Sequence, residues 1–300
     1  MKHALPEERI GRGIALILVT TVMFSTLDSI SKTLNAYLPV NEIIWGRYAF
    51  HGLSLTLLMG PKLRMDLVRT SHPGVQILRG LLLVASSFCF VGALVWLPLA
   101  EVAALAFVSP LVMTALSGPL LGERVYRAQW LAVGAGFIGV LVIIRPGGAL
   151  FNLATALPLA SSVLYALFQI ITRRYAGRDS AYVTHFWTAL VATAVTGATL
   201  PVWWVTPSWP VWLGLVAMGL IGGGAHYILI RAYECAPPHT LAPFTYLQLI
   251  WSALITWLWF EHVPDAGTLL GMAIIVASGL FAVWTQRRTM RANEESIAPD

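Results

Sequence analysis

Residues 131–144 read LAVGAGFIGVLVII, a stretch without a charged or hydrogen-bonding side chain. Apolar residues occupy odd and even positions alike, whereas a strand of a membrane β-barrel alternates apolar and polar residues. The stretch therefore predicts a helix that is apolar on every side, which is typical of a helix buried in a lipid bilayer.

The composition of the whole chain agrees with this prediction. Of its 300 residues, 57% are hydrophobic and 11% are charged, against about 45–50% and about 25% in soluble globular proteins. So few charges cannot cover a soluble globule, and the apolar content excludes a disordered chain. The formal net charge of +5 would suggest nucleic acid in a soluble protein, but here its distribution matters more, and no nucleic-acid partner is expected.

Stretches of similar character recur along the chain, and a membrane helix needs about 20 apolar residues. The loops between them are too short to hold a soluble domain. The predicted fold class is therefore an all-α polytopic membrane protein with ten transmembrane helices, at Gly13–Leu34, Glu42–Gly60, Gly74–Trp96, Glu101–Leu121, Ala128–Ile144, Leu150–Thr172, Ala181–Val205, Pro210–Ala232, Thr240–Phe260 and Ala266–Trp284.

Loop charges predict the orientation, because cytoplasmic loops of membrane proteins are enriched in Lys and Arg. With ten spans and a cytoplasmic N-terminus, the opposite side carries Arg145 alone, and Lys32, Arg47 and Arg79 fall within or beside spans. We therefore expect a multi-pass protein of the inner (plasma) membrane with both termini cytoplasmic. The other basic residues lie on the cytoplasmic side, at Lys2, Arg9, Arg12, Lys62, Arg64, Arg69, Arg124, Arg127, Arg173, Arg174, Arg178, Arg231, Arg287, Arg288 and Arg291.

The two halves of the chain echo each other. Leu97–Arg124 and Cys235–His262 each begin with a Pro-containing turn, continue as an apolar helix and end near an acidic residue, Glu123 or Glu261. Five spans per half is an odd number, so the second half enters the membrane from the other side. This predicts two inverted five-helix repeats, a transporter architecture with a solute site near the bilayer midplane.

The boundaries of this organisation follow from the spans. Residues 1–12 form a cytoplasmic N-terminal tail, 13–145 the first repeat, 150–286 the second repeat and 287–300 a cytoplasmic C-terminal tail.

Several short motifs lie in and beside the fourth and fifth spans and recur less faithfully near the ninth. They are Leu97–Glu101, Ser109–Leu111, Leu121–Arg124 and Gln129-Trp130, with the less faithful copy at Ala236–Pro238 and Phe260-Glu261. With these motifs the chain resembles the EamA family of the drug/metabolite transporter superfamily. The resemblance covers about Gly13 to Trp284 and implies ten helices in two inverted halves that export or exchange small metabolites. Within the family, the aromatic-rich core is similar to amino-acid exporters of the YddG type.

Charged residues inside spans are costly and usually face a partner or a cavity. Asp28 and Lys32 share a helix face, and either form a wall of the solute path or neutralise each other in packing, with Lys32 reaching outward. Arg47 either pairs with Asp28 or holds a substrate carboxylate in a bidentate contact.

Aromatic and polar residues at helical spacing predict the rest of a central cavity. His226 and Tyr227 follow three consecutive glycines, and His226 is either a protonation switch or a hydrogen-bonded packing residue. Ordinary helix packing is the alternative for each aromatic residue. The predicted substrate-binding residues are Phe107, Pro110, Tyr165, Gln169, His226, Tyr227, Phe244, Tyr246, Gln248 and Trp251.

No HExxH, GxSxG or Walker A motif occurs in the sequence. We therefore expect a transporter rather than an enzyme, with no metal and no cofactor, whose partners are a small solute and the bilayer; a monomer is compatible with the sequence. The predicted function is that of a facilitator or exchanger that moves small metabolites out of the cell, with amino acids as the expected solutes. An importer of another metabolite and an intramembrane enzyme remain the alternatives.

Overall fold

The computed structural model describes residues 7–123, 125–145, 153–236 and 238–297. Within these ranges the chain is helical and has no β-strand. Arg124, the predicted start of the second repeat at 150, and tail residues 1–6 and 298–300 lie outside the described residues.

The described residues form thirteen α-helices of very different lengths. In chain order they are α1 (Glu7–Leu34), α2 (Val40–Leu63), α3 (Pro73–Trp96), α4 (Leu99–Ala106), α5 (Ser109–Leu121), α6 (Arg127–Ile144), α7 (Ala156–Arg174), α8 (Ala181–Gly197), α9 (Leu200–Trp203), α10 (Trp209–Cys235), α11 (Pro238–Thr245), α12 (Leu247–Phe260) and α13 (Ala266–Ile297).

Two predicted spans are broken near their middle. The fourth is divided into α4 and α5 beside Pro110, and the ninth into α11 and α12 just after Pro243. Proline has no backbone N–H to donate and its ring crowds the preceding turn, which accounts for the break just before Pro110. The break between α11 and α12 lies after Pro243, on the other side of the proline. Backbone groups freed at such breaks are tolerated where they face protein or a water-filled cavity.

Eight helical segments of the described residues are long and apolar enough to cross a membrane. They are the predicted spans apart from the second and the seventh. Helix α2 carries Glu42, Arg47 and Lys62, and α8 has only 17 residues. The protein is thus an all-helical membrane protein, whereas ten spans in two repeats stay a prediction.

Apolar residues also cover the outside of the bundle. On α6, Leu131 is 70% exposed, and Ile138 and Leu141 are each 56% exposed. A soluble protein rarely exposes so continuous an apolar surface. These side chains face outward where lipid would surround the protein.

Close helix contacts hold the bundle together. Helix α6 packs along α13, α10 packs against both α1 and α2, and α3 packs against α7 and α8. The glycines of α10 make its contacts possible: a Cβ on Gly222 would lie 2.9 Å from Leu27 of α1, and one on Gly223 would collide with Ser54 of α2. This packing fixes the rotation of α10 and the direction in which His226 points.

Candidate transport cavity

A cavity of about 610 Å³ lies inside the bundle. Its wall comes from α1, α2, α3, α7, α8 and α10, together with the α4–α5 break and the α11–α12 pair. It extends from the level of Asp28 and Arg47 to the loop residues around His72 and Asp179. We call the end of the bundle with loops 64–72 and 175–180 the basic end.

Asp28 is the acidic residue deepest in the cavity wall and is 7% exposed. The side-chain amide of Gln248 on α12 donates to Asp28 Oδ2 at 3.5 Å. Ser25, one turn before Asp28, donates to the backbone carbonyl of Gln248 at 3.1 Å and lies 3.3 Å from the hydroxyl of Ser252. These contacts hold α12 against α1 and keep Gln248 beside the carboxylate.

Arg47 faces Asp28 from α2, and its positive charge acts on the carboxylate. Its guanidinium lies 5.6 Å from the ring of Tyr48, whose hydroxyl is 2.7 Å from Ser87. Among the described residues, no ion pair joins Arg47 to Asp28 and no side chain accepts a hydrogen bond from Arg47. Asp28 and Arg47 therefore line one cavity without pairing, and the guanidinium of Arg47 is free to donate to a solute, whereas Asp28 already accepts from Gln248.

Most other predicted site residues also lie in this wall. Phe107 and Pro110 lie at the α4–α5 break, Tyr165 and Gln169 project from α7, and His226 from α10. Tyr165 stacks on Phe168 with ring centroids 5.7 Å apart. With Asp28, Arg47 and Gln248, the fold therefore brings eight of the thirteen candidate residues together in the cavity wall. Their role in binding stays a prediction.

The other five candidates lie outside the wall. The Lys32 ammonium donates to the carbonyls of Leu94 and Leu97, both at 2.9 Å, so Lys32 holds the end of α3 and forms no ion pair with Asp28. The remaining four are aromatic: Tyr227 packs near Tyr182, Phe244 packs with Ile17 and Leu241, Tyr246 packs against Phe107 and Gly279, and Trp251 has a buried indole N–H without a hydrogen-bond partner.

The basic end is held by a polar network around Asp179. Its carboxylate accepts hydrogen bonds from the side chains of Thr70 and Gln76, at 2.5 and 2.8 Å, and from the backbone N–H of Ser71 at 3.4 Å. Burial acts to raise the pKa of Asp179, but these hydrogen bonds outweigh it and lower the pKa. The network joins the loop before α3 to the loop before α8.

Arg79 extends this network into the cavity. It is 3% exposed, and it donates to Gln76 and to Thr172, both at 2.9 Å. Its guanidinium also lies 5.0 Å from the ring of Phe168. The sequence assigned Arg79 only to the margin of a span, so this cation was missed.

Two contacts between acidic and basic side chains lie at the opposite end of the bundle. Arg145, after α6, pairs with Asp265, before α13, at 2.6 Å. The pKa of Asp265 is lowered, first by the hydrogen bond from the backbone N–H of Thr268 and then by Arg145. Near α4, His262 lies 3.3 Å from the buried carboxylate of Glu101.

His185 of α8 is a second cavity residue that sequence reasoning missed. Its ring centroid lies 4.8 Å from that of His226, whose ring also contacts His51 at 5.0 Å. The available signal was the presence of three histidines inside predicted spans, but nothing in their spacing indicates that they meet.

Comparisons with known proteins agree with a transporter fold. A solved crystal structure of a protein superposes with a TM-score of 0.66, at 20% identity, over 92% of this chain and 98% of that chain. At this identity the likeness shows the fold alone. A bundle of apolar helices around a cavity with mostly apolar walls and a few charged and polar side chains is the architecture of a membrane transporter of small molecules. The chain belongs to the EamA-like transporter family, whose pattern matches residues 11–145 and 152–284.

The curated relatives carry several different solutes. An S-adenosylmethionine uptake transporter of Rickettsia prowazekii is 28% identical, over 95% of this chain and 96% of its own. A riboflavin transporter of Vibrio cholerae is 30% identical, over 96% and 97%. The pseudopaline exporter CntI of Pseudomonas aeruginosa is 29% identical, over 89% and 94%. These relatives point to a transporter and not an enzyme, and they give no support to the expected YddG-type character.

Proposed function

We propose that the protein is an alternating-access transporter of zwitterionic small metabolites that carry an amino-acid group. The observation that carries this proposal is the pair Asp28 and Arg47, which line one cavity without forming an ion pair. A carboxylate and a guanidinium held apart suit a solute that itself carries an ammonium and a carboxylate. In such a complex, Asp28 and Gln248 would bind the ammonium end and Arg47 the carboxylate.

The size of the cavity favours a solute larger than the smallest amino acids. Small-molecule pockets measure about 300–1,000 Å³, with mostly apolar walls and a few polar groups, and this cavity of about 610 Å³ lies in the middle of that range. Phe24, Phe107, Tyr165 and Phe168 supply aromatic wall beyond the charged pair. S-adenosylmethionine, the solute named for one relative, combines an amino-acid group with a planar base and meets both requirements.

Two observations support the ten-helix inverted repeat as part of this proposal. The family pattern matches twice, at 11–145 and 152–284, close to the two predicted repeats. The helix packing also has the order that a pseudo-twofold axis requires: α1 packs on α10 as α7 packs on α3, and α1 packs on α12 as α7 packs on α5. In such repeats the solute site lies between the halves.

The position of the cavity supports an inward-facing state. The cavity reaches the basic end, which positive loop charge assigns to the cytoplasm, while Arg145–Asp265 and Glu101–His262 hold the other end. The protein would act as a facilitator or exchanger, with direction set by solute gradients. Outward movement is the direction expected from the sequence; the relatives include uptake transporters as well as an exporter.

Counterflow into proteoliposomes tests the proposal. Vesicles with purified protein are loaded with unlabelled solute and given radiolabelled S-adenosylmethionine, riboflavin, methionine or tryptophan. Asp28→Asn and Arg47→Gln each remove a charged partner worth about 1.5–3 kcal/mol, so we expect transport of the zwitterions to fall about ten- to a hundredfold. Asp66→Asn and Arg64→Gln, which change exposed charges at the basic end of α2, are the charge-matched controls.

Wild-type transport of zwitterions that survives in both cavity variants at normal reconstitution would refute the assignment of the pair. Orientation is tested separately by labelling single cysteines from outside intact cells. A cysteine in loop 205–208 that lies on the same side as one at Arg178 would break the ten-span topology.

A further inference from the structure

Three histidines from three different helices converge beside the cavity. The ring of His226 on α10 lies 5.0 Å from His51 on α2 and 4.8 Å from His185 on α8, measured between centroids. Phe24 of α1 closes the group with an edge contact to His226 at 5.0 Å. His185 and His226 line the cavity, and His51 lies behind them at 5% exposure.

The hydrogen bonds of this cluster leave imidazole nitrogens without partners. His226 Nδ1 lies 2.8 Å from the carbonyl of Gly222. A carbonyl only accepts, so Nδ1 carries the hydrogen and Nε2 of the neutral ring is a free acceptor. His51 Nε2 is buried and has no hydrogen-bond partner. Buried polar atoms without partners are costly, and packing alone would be served equally well by apolar rings.

The charges around the cluster are positive on the helices that pack against it. Arg47 lies one helical turn from His51 and acts on His51 and His226, while Arg79 of α3 acts on His185. The tyrosines nearby are Tyr182 of α8 and Tyr227 of α10, and Asp28 of α1 lines the same cavity. Among the described residues, no carboxylate forms an ion pair with any of these three rings.

We propose that His51, His185 and His226 form a proton-binding site in the cavity wall, and that a proton there and an anionic group of the solute at Arg47 bind together. A hydronium ion in the cavity water transfers its proton to an imidazole lone pair, so one O–H bond breaks as one N–H bond forms and a water molecule is left. The reverse step returns the proton to water. Two imidazolium rings about 5 Å apart repel each other, so the cluster holds one proton and not three.

The coupling has a definite sign. A bound proton adds positive charge within one turn of Arg47, and a solute carboxylate at Arg47 offsets that charge. By linkage, each ligand then increases the affinity for the other by the same factor. The coupling between proton and solute rests on the proposed function, whereas the proton site itself does not. Among the described residues, no group of three or more His, Cys, Asp or Glu side chains could hold a metal ion.

The first experiment needs no solute. Purified full-length protein labelled with 15N-histidine is titrated in detergent and followed by imidazole NMR, and single His→Gln variants at 51, 185 and 226 assign the resonances. Arg47→Gln removes the nearest positive charge, so we expect the cluster titration to move up by about one to two pH units. Arg64→Gln, which changes an exposed arginine just after the end of α2, is the control and should leave the cluster titration unchanged.

The outcome decides the proton site without reference to transport. Cluster resonances that do not titrate, that titrate as three independent sites, or that ignore Arg47→Gln would overturn the proposal. His72 and His262 lie outside the cluster and serve as internal references. A variant that fails to fold is recognised because the resonances of these two histidines change as well.

The second experiment tests the coupling with S-adenosylmethionine as the probe. Addition of the probe to weakly buffered wild-type protein should cause proton uptake, and its apparent affinity should weaken by up to tenfold per pH unit above the cluster titration. Both effects should weaken in His51→Gln, which removes a ring of the cluster that lies behind the cavity wall and leaves the proposed solute contacts in place. Binding with no proton uptake overturns the coupling, whereas absence of binding at any pH counts against the proposed solute and leaves the titration to judge the proton site.

Discussion

The contact between α6 and α13 depends on two glycines, which makes it a sharp test of the packing. A Cβ on Gly271 would lie 2.7 Å from the backbone carbonyl of Gly139 and would collide with Ile143, whereas ordinary contact begins at 3.4 Å. A carbonyl within a helix cannot rotate away, so the helices must separate. Overpacking of this kind costs about 1–3 kcal/mol, and alanine recovers at most about 1 kcal/mol of helix propensity over glycine. We expect Gly271→Ala to lower the free energy of unfolding by about 1–2 kcal/mol.

Gly134→Ala is the control, because Gly134 lies on α6, the helix that packs against α13, and a Cβ there meets no atom within 4 Å. This variant should be neutral or slightly stabilising. Both free energies can be measured by reversible unfolding of purified protein in mixed detergent micelles, with thermal unfolding as a second readout. A Gly271→Ala protein as stable as the Gly134→Ala protein would refute the close contact.

Three further outcomes follow from the polar contacts. Hydrogen bonds lower the pKa of Asp179, so its carboxylate stabilises the fold at a pH above 3.8, the ordinary pKa of an Asp side chain. This contribution is lost as the pH falls below 3.8. Asp179→Asn should therefore be less stable than the wild type at neutral pH and should approach the wild-type unfolding midpoint in acid. The hydroxyls of Ser86 on α3 and Ser161 on α7 lie 3.0 Å apart, so a double-alanine cycle should give a coupling of about 0.6 kcal/mol, and a coupling of zero would contradict this side-chain contact. Asp265→Asn removes the exposed ion pair with Arg145, which is worth at most about 1 kcal/mol. A cysteine placed at Ser109 in the cavity wall should then react up to about fivefold faster with a reagent added from the opposite end of the bundle. An unchanged rate would mean that the pair does not hold that end closed.

The sequence predicted the helices well because their signal is local. Long apolar runs such as 131–144 become helices, and Pro110 lies at a break because its ring crowds the preceding turn. Helix α2 was predicted as a span from the length of its apolar stretch, although it carries Glu42 and Arg47. It is not among the eight segments that length and composition identify in the described residues.

Residues of the site could be predicted from the sequence only where their spacing along a single helix places them on one face. Tyr165 and Gln169 are four residues apart on α7, Asp28 is a charged residue inside the span of α1, and all three do line the cavity. Lys32 shares the face of Asp28 but caps the end of α3, because a long flexible side chain reaches carbonyls that spacing along α1 cannot reveal. Tyr246 was predicted for the cavity from its neighbours, yet it fills the space above Gly279 on α13.

Interactions between distant helices explain what the sequence could not give and what the cavity can do. Arg47 could have paired with Asp28 or awaited a solute, and only the rotation of α2 and α10 decides between these roles. Gly223 lets α10 approach Ser54, and this approach brings His226 against His51 one turn from Arg47. A bulkier residue at Gly223 would therefore alter the packing and the environment of the cavity charges together. The same close contact that builds the fold thus places a proton acceptor beside the group proposed to hold the solute.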